Sequence, residues 1–428
     1  MSVADFFIDK NVFITGGSGF LGKLIIEKLL RSCPGIGKIY VLLRPRKGKA
    51  IEERLEKIIE SPIFNPLRHQ NPDALRKLIP IKGDVSELNL GISKEDRELL
   101  VNTVNIIYHS AASVRFDDFL KDAIILNVRG TREVAKLALD LKSISIFVHI
   151  STTYCNCDKL VVEEKLYPAH TSWRDAIMLA EECDQQTLET LTQKYISPLP
   201  NTYTFAKSLG EHVVNDLCQG KIPTIITRPS VVMNTESDPI QGYTDNFNGP
   251  VGLVTAAGKG LVRVGFGKPD TITDYIPADY VIKGMVLATA SQGITKLVKL
   301  VRKIYIAYTV LAPFVCNTYW FLNDKYINMQ KDLKEEDSAF SFNYKSWTDE
   351  EMYEFIKGGK LGMEVYLFGE KLGVTGSKAK QKMMKYWLAE VIFKTILLTV
   401  FLWIFMYKLN FFNLATIKTI SYFNSLSS

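Results

Sequence analysis

Cysteine is scarce in this chain, with 6 among 428 residues. Cys33, Cys155, Cys157, Cys183, Cys218 and Cys316 are scattered and form no pair of pairs. That excludes a disulfide scaffold, gives no reason to expect a metal, and fits reduced, intracellular thiols. Cys155 and Cys157 flank Asn156 and read as small buried side chains at a strand end rather than a redox pair. A strong charge bias is also missing. The balance of 52 basic against 46 acidic residues, +6, does not suggest a nucleic-acid binder. There is no internal repeat and no low-complexity tract, which excludes solenoids and linker-like chains. The start, MSVADFFIDKNVFITGG, lacks a basic region, a long apolar run and a cleavage site, so no secretory signal is expected. A content of 47% hydrophobic and 23% charged residues excludes disorder, and the length suggests two or three domains.

The mean hydropathy, +0.04, is high for a soluble enzyme. Part of the apolar excess lies in Tyr386–Tyr407, YWLAEVIFKTILLTVFLWIFMY, where Glu390 and Lys394 are the charges. The run is long enough for one helical crossing of a bilayer core. Lys378, Lys380, Lys382 and Lys385 precede it, which places the upstream chain in the cytosol. A second run, Ile304–Leu322, contains Pro313 and Asn317 and follows the basic KLVKLVRK. Membrane-surface contact or packing suits it better than a second span.

Up to about residue 290, short apolar runs alternate with helical patterns. NVFIT (11–15), KIYVLLR (38–44), LIPIKGDV (78–85), NIIYHSAA (105–112), ISIFVHIS (144–151) and TIITRPSVV (224–232) read as strands. Helices are expected at 20–32, 119–141 and 173–194, and loops over 234–275. Beyond 291 no strand–helix alternation is expected. This pattern predicts an α/β fold, an open, doubly wound parallel sheet with helices on both faces.

The stretch Thr15-Gly16-Gly17-Ser18-Gly19-Phe20-Leu21-Gly22 links the first strand to the first helix. Glycines there permit a tight reversal, close approach of a pyrophosphate and helix–sheet packing, while the helix N-terminus offers free N–H groups. Thr15, Gly16, Gly19, Phe20, Leu21 and Gly22 are the candidate cofactor contacts. An NAD enzyme would carry an acid at the end of the second strand, but this chain has Arg44, followed by Arg46, Lys47 and Lys49. Cations suit a 2′-phosphate, so NADPH is expected.

Two Tyr-x-x-x-Lys pairs occur, Tyr203 with Lys207 and Tyr353 with Lys357. Only the first begins a helix that leads back into the nucleotide-binding sheet. On a helix the two share a face, and the Lys207 ammonium is expected to lower the Tyr203 phenol pKa and make it a proton donor. Ser151, Thr152 and Thr153 end the fifth strand. Thr152 or Ser151 is expected to orient a substrate carbonyl, Thr153 less so. His109 and His149 read as core histidines.

The ordered strings VFITGGSGFLGK, VLLRPRKGK, IIYHSAASVRFDD, LNVRGTRE, FVHISTTYCN, YTFAKSLGE, TRPSVV, DNFNGPVGL and DYIPADYVIKGM resemble the eukaryotic fatty acyl-CoA reductases. These are extended short-chain dehydrogenases/reductases with a Rossmann fold. FSFNYKSWTDEEMYEFIKGGKLGMEVYLFGE is similar to that family's helical C-terminal module. The resemblance implies reduction of long-chain acyl-CoA to the primary alcohol with two NADPH. It places Asp84 and Val85 near the adenine, Ala111 beside the nicotinamide, and Asn127 where it helps place the lysine and a proton-relay water. It implies a reductase domain over 1–290, a connecting segment over 291–337, the helical module over 338–376, and a basic flank with membrane anchor over 377–428. The expected site is an intracellular membrane, the endoplasmic reticulum first and the peroxisome second. One departure stands out. In the family Thr289–Ala290 lead into a further strand and a long substrate-module stretch, whereas here the chain runs directly into SQGITKLVKL. Loss of that block is expected to impair catalysis more than cofactor binding. The competing readings are a membrane-anchored sterol-type 3β-hydroxysteroid dehydrogenase and an NADPH-binding chain without turnover.

Overall fold

The computed structural model describes residues 2–45, 50–260, 275–292, 300–301, 320–321, 328, 333–341, 348–367, 384, 387–388, 391 and 395. Met1–Thr255 with Val264–Gly369 form one compact unit, and Ala256–Arg263 with Glu370–Ser428 a second. The sheet and the site belong to the first. In the second, Met384, Trp387, Leu388 and Val391 are exposed.

Seven strands form one sheet: β1 (Asn11–Thr15), β2 (Ile39–Leu43), β3 (Leu78–Lys82), β4 (Val104–His109), β5 (Ile146–Ile150), β7 (Thr224–Arg228) and β10 (Leu300–Val301). Their order is β10-β7-β5-β4-β1-β2-β3, and every pairing is parallel. The order reverses between β1 and β4, the point where an open parallel sheet leaves a crevice at its carboxyl edge. Two small parallel pairs stand apart, β6 (Val161–Val162) with β11 (Trp320–Phe321) and β8 (Val231–Met233) with β9 (Tyr275–Pro277).

Alternation along each strand feeds two cores, because successive side chains point to opposite faces. Val12, Ile14, Val41, Ile106, Tyr108 and Val148 pack against α1 (Phe20–Ser32) and α10 (Ala278–Gln292). Phe13, Tyr40, Leu42, Ile107 and Phe147 pack against α3 (Lys94–Thr103) and α5 (Gly130–Asp140). A third cluster joins α4 (Leu120–Ile124), α6 (Trp173–Glu182), α7 (Gln185–Ile196) and α8 (Thr202–Cys218) beside the sheet. Two more helices, α2 (Ile51–Ile59) and α9 (Pro250–Gly258), lie on the connections, and α11 (Asp349–Gly362) follows them in the chain.

Several expected elements differ in detail. The helix over 173–194 is two helices, because Asp184 accepts a hydrogen bond from Thr187 N and caps the second. The strand over 224–232 splits at Pro229 and Ser230 into β7 and β8, which belong to different sheets; proline has no N–H to continue a ladder. The helix over 119–141 contains a π-helix, Ile125–Arg129, between α4 and α5. A helix, α9, interrupts the expected loops over 234–275. Beyond 291, β10 and β11 are strands where none was expected, and β10 occupies the sheet position beside β7. Among the described residues no helix is long and apolar enough to cross a membrane. The run Tyr386–Tyr407 lies outside them except at four positions, and Ile304–Leu322 except at Trp320 and Phe321; Arg46, Lys47 and Lys49 also lie outside.

The last residue of β7, Arg228, is fully buried and grips Glu211 of α8 with both arms, Nε to Oε1 and Nη2 to Oε2 each at 2.6 Å. Removing one partner of such a pair strands the other charge in a low-dielectric interior. Arg228→Ala is expected to lower the unfolding free energy by about 3–5 kcal/mol in chemical denaturation. A loss below about 1 kcal/mol would show that the pair does not hold helix to sheet.

Candidate active site

The glycine turn fits its place through contacts that no side chain could share. Gly16 has φ +74°, and a Cβ there would lie 2.6 Å from Ala111 N. A Cβ on Gly22 would lie 2.2 Å from Gly16 O, so this glycine lets α1 pack onto the turn. Gly19 is the N-cap of α1, leaving the first N–H groups of that helix without a side-chain cap. Ser110 N donates to Thr15 O at 3.2 Å and Ala111 N to Thr15 Oγ1 at 3.2 Å, so the ends of β1 and β4 are latched together.

Above this floor lies a cavity of about 430 Å3. Gly16, Gly19, Phe20, Leu21, Arg44, Asp84, Val85, Ala111, Ser151, Thr152, Tyr203 and Lys207 all line it. Thr15 and Gly22 lie beneath as supports. Asn127 also stands behind the wall, its side chain accepting from Ser113 N at 2.9 Å and donating to Ser113 O at 3.0 Å. Thr153 is buried and absent from the lining. Tyr353 is exposed on α11, with Lys357 paired to Glu354, so the second Tyr–Lys pair lies outside the cavity.

Helix α8 sets the chemistry. Asn201 caps it by accepting from Thr204 N at 2.9 Å, which starts the helix one residue before Tyr203. Tyr203, Lys207 and Glu211 then follow at intervals of one turn along one face. The Thr152 hydroxyl hydrogen-bonds to the Tyr203 phenol. The Phe116 ring meets Tyr203 edge-on at 5.3 Å. Lys207 Nζ donates to Ile150 O at 2.6 Å.

The expected acidified phenol is not found. Burial pushes Tyr203 up to about 12, and the Thr152 hydrogen bond offsets this only in part. The ammonium points instead to the Ile150 carbonyl, and burial lowers Lys207 to about 8 against a pull from Glu211 that raises it. Desolvation therefore outweighs the helical proximity on which the expectation rested. Tyr203 keeps its proton at neutral pH, which is what a donor to a much more basic alkoxide requires.

His109 and His149 are buried, as expected of core histidines. Cys155 and Cys157 are free, buried thiols, and Cys155 lies 3.3 Å from Glu211 Oε1. Sequence reasoning missed several lining residues. Arg54 of α2 lines the cavity with Arg44 and donates to the Arg44 carbonyl, but nothing in its helical pattern marked it. Ser230 contributes a hydroxyl without a hydrogen bond, and Ser151 lines the cavity with its hydroxyl turned toward Glu211 and Cys155. Glu211 did carry a signal, since it stands one turn beyond Lys207.

Residues 14–285 match an NAD-binding family described as "Male sterility protein". Fatty acyl-CoA reductase 1 of Rattus norvegicus is 34% identical over 380 residues, covering 88% of this chain and 72% of that protein. The chain belongs to the fatty acyl-CoA reductase family. A putative fatty acyl-CoA reductase of Drosophila melanogaster, CG8306, is 42% identical over 285 residues, 66% of this chain and 55% of that protein. Against mouse fatty acyl-CoA reductase 1 the chain spans 57% of the relative's length. Among solved structures, the terminal R domain of the myxalamid PKS-NRPS pathway superposes with TM-score 0.60 at 18% identity, covering 85% of this chain and 92% of that one. UDP-glucuronic acid 4-epimerase from Bacillus cereus, in complex with NAD, gives TM-score 0.53 at 16% identity, covering 85% and 99%. Both likenesses concern the fold.

The turn generates a direct test. Gly16→Ala forces a side chain into the left-handed region and onto the Ala111 backbone, at a cost of about 1–2 kcal/mol from backbone strain alone. Dinucleotide affinity, read by fluorescence titration, is expected to fall about tenfold or more. Unchanged affinity would mean that the turn does not carry the pyrophosphate.

Proposed function

We propose that this chain reduces long-chain fatty acyl-CoA to the primary alcohol with NADPH, through a bound aldehyde and with release of CoA. The observation that carries this reading is the single cavity holding both the glycine turn and the Thr152–Tyr203–Lys207 cluster. The turn and the open N-terminus of α1 fit a pyrophosphate. Leu42, Gly83, Asp84 and Val85 fit an adenosine end, and the unpartnered Ser230 hydroxyl fits a polar ligand deeper in the cavity. Arg44 and Arg54 on the same wall favour a 2′-phosphate.

When bound, a reduced dinucleotide would supply one hydride, so the thioester and then the aldehyde would each consume one NADPH, the oxidised dinucleotide being exchanged for a reduced one between the two steps. Thr152 and Tyr203 present adjacent hydroxyl groups where a carbonyl oxygen gains negative charge, stabilising it as an oxyanion. At the first carbonyl the tetrahedral oxyanion collapses, the C–S bond breaks, and CoA leaves as its thiol once protonated. At the second, Tyr203 gives its phenolic proton to the alkoxide. Lys207, one turn along the same helix face with its ammonium held by the Ile150 carbonyl, keeps positive charge near the phenolate until a solvent proton restores it. Asn127 fixes the segment through Ser113 on which Ala111 sits.

The lysine-flanked apolar run at 386–407 supports a single-pass anchor on an intracellular membrane, with the reductase domain in the cytosol. The endoplasmic reticulum is the first choice and the peroxisome the second. The helical module is read over 338–376, in which 349–367 are helical among the described residues. The sterol-type dehydrogenase reading asks for an acid after β2, where Arg44 stands.

Membranes carrying the full chain, given palmitoyl- or stearoyl-CoA and NADPH, are expected to form fatty alcohol. Tyr203→Phe is expected to lower product at least about a hundredfold, the scale of a positioned proton donor, with NADPH affinity retained. NADPH binding without alcohol from the unmodified chain would instead identify a binding protein without turnover, and turnover of hydroxysteroids would identify the sterol reading. A separate substitution tests the cofactor. Arg44→Asp is expected to weaken NADPH by about tenfold or more while leaving NADH within about threefold, since one charge-assisted pair contributes roughly 1.5–3 kcal/mol. Equal loss for both dinucleotides would remove Arg44 from the 2′-phosphate.

A further inference from the structure

A hydrogen-bonded chain runs beneath the cavity from the glycine turn to the π-helix, and its protons can be assigned. Thr131 Oγ1 lies 2.7 Å from Asn127 O, and a carbonyl can only accept, so the single Thr131 hydroxyl proton is spent there. His109 Nε2 lies 3.0 Å from the same Thr131 Oγ1 and must therefore donate to it. His109 Nδ1, 2.7 Å from Thr15 Oγ1, is then the acceptor of the Thr15 hydroxyl in a neutral ring. Thr15 Oγ1 in turn accepts from Ala111 N at 3.2 Å. Each link fixes the direction of the next.

The chain closes on itself. Asn127, whose carbonyl ends it, binds both the N–H and the C=O of Ser113 with its side-chain amide. Residues 111 to 113 are thus held at one end by Thr15 and at the other by Asn127. Ser110, Ala111 and Ala112 line the cavity directly above. The Asn127 carbonyl also faces α8, where a Cβ on Gly210 would lie 3.1 Å from it, between Lys207 and Glu211.

We propose that His109, as the neutral Nε2–H tautomer, is a positioning residue that joins Thr15 to the Asn127 turn and so holds the Ala111–Ser113 segment in register for the dinucleotide. The proposal rests on reading the cavity as a dinucleotide site. The two ring nitrogens bond to different elements, Nδ1 to Thr15 at the end of β1 and Nε2 to Thr131 of α5, so the ring ties strand to helix. The neighbouring His149, equally buried, has neither nitrogen hydrogen-bonded. The surroundings keep His109 neutral. Burial and the Lys207 charge push its pKa down to about 3, and the His149 ring lies 5.3 Å away.

The test has two readouts. In the full chain labelled with 15N-histidine, His109, assigned by its loss in His109→Gln, is expected to show a protonated Nε2 and an unprotonated, hydrogen-bonded Nδ1, unchanged from pH 5 to 9. In Thr131→Val the ring loses its acceptor and is expected to switch to the Nδ1–H tautomer. NADPH affinity is the second readout. Thr131 does not line the dinucleotide cavity, yet Thr131→Val is expected to weaken NADPH about three- to tenfold, the scale of one hydrogen bond. Thr131→Ser, which keeps the hydroxyl, is expected to restore it. Thr15→Val with Thr131→Val is expected to be no weaker than the worse single variant, because both cut the same chain. An Nδ1–H ring or a titrating imidazolium in the unmodified protein overturns the proposal. So do additive losses or unchanged binding in Thr131→Val. Failure of the unmodified chain to bind NADPH or NADH overturns the cofactor reading and the positioning role with it, while the tautomer still decides the hydrogen-bond assignment.

Discussion

The site depends on one backbone-on-backbone contact, the turn at Gly16 lying against Ala111 where the strand order reverses. The connections that leave β1 and β4 run to helices on opposite faces of the sheet, which opens a crevice at its carboxyl edge, and something must form the floor of that crevice. Here the closure is made by main chain, with Thr15 binding the next strand end through both its carbonyl and its hydroxyl. A positive φ at Gly16 allows the approach, and the lack of a Cβ at Gly22 lets the first helix follow it down. Everything polar in the cavity is placed relative to that floor.

The second constraint is electrostatic. Helix α8 carries a phenol, an ammonium and a carboxylate into the interior in successive turns, and burial alone would make this arrangement costly. Arg228 offsets the carboxylate, and the Ile150 carbonyl receives the ammonium. The phenol is left neutral and high in pKa, with Thr152 as its partner. Charge is balanced away from the reacting end, and the reacting end keeps its proton.

Much of this was legible in the residues. Strands buried on both faces read as continuous apolar runs, and the glycine spacing after the first of them located the floor. The pairing of Tyr203 with Lys207 followed from the helix period and from the strand that comes next. What failed to show depends on tertiary context. Arg54 lies on an ordinary amphipathic helix, and only the path of the chain after β2 brings it beside Arg44. The break at Asp184 was written in capping chemistry but hidden by apolar residues on both sides. The pKa of Tyr203 was misjudged because spacing reports distance to Lys207 and says nothing of desolvation. The π-helix at Ile125–Arg129 has no sequence period of its own.

The placement of Tyr203, Lys207 and Glu211 on one face makes α8 a ruler for the whole site. Inserting or deleting a single residue between 203 and 211 would rotate everything beyond it by about 100°. The carboxylate would turn away from Arg228, or the phenol away from Thr152, and no local rearrangement could satisfy both. Length variation among chains built on this plan should therefore be absent from that span. It should collect instead in the stretch between β5 and α8, where the backbone passes through short helices and turns without a fixed count.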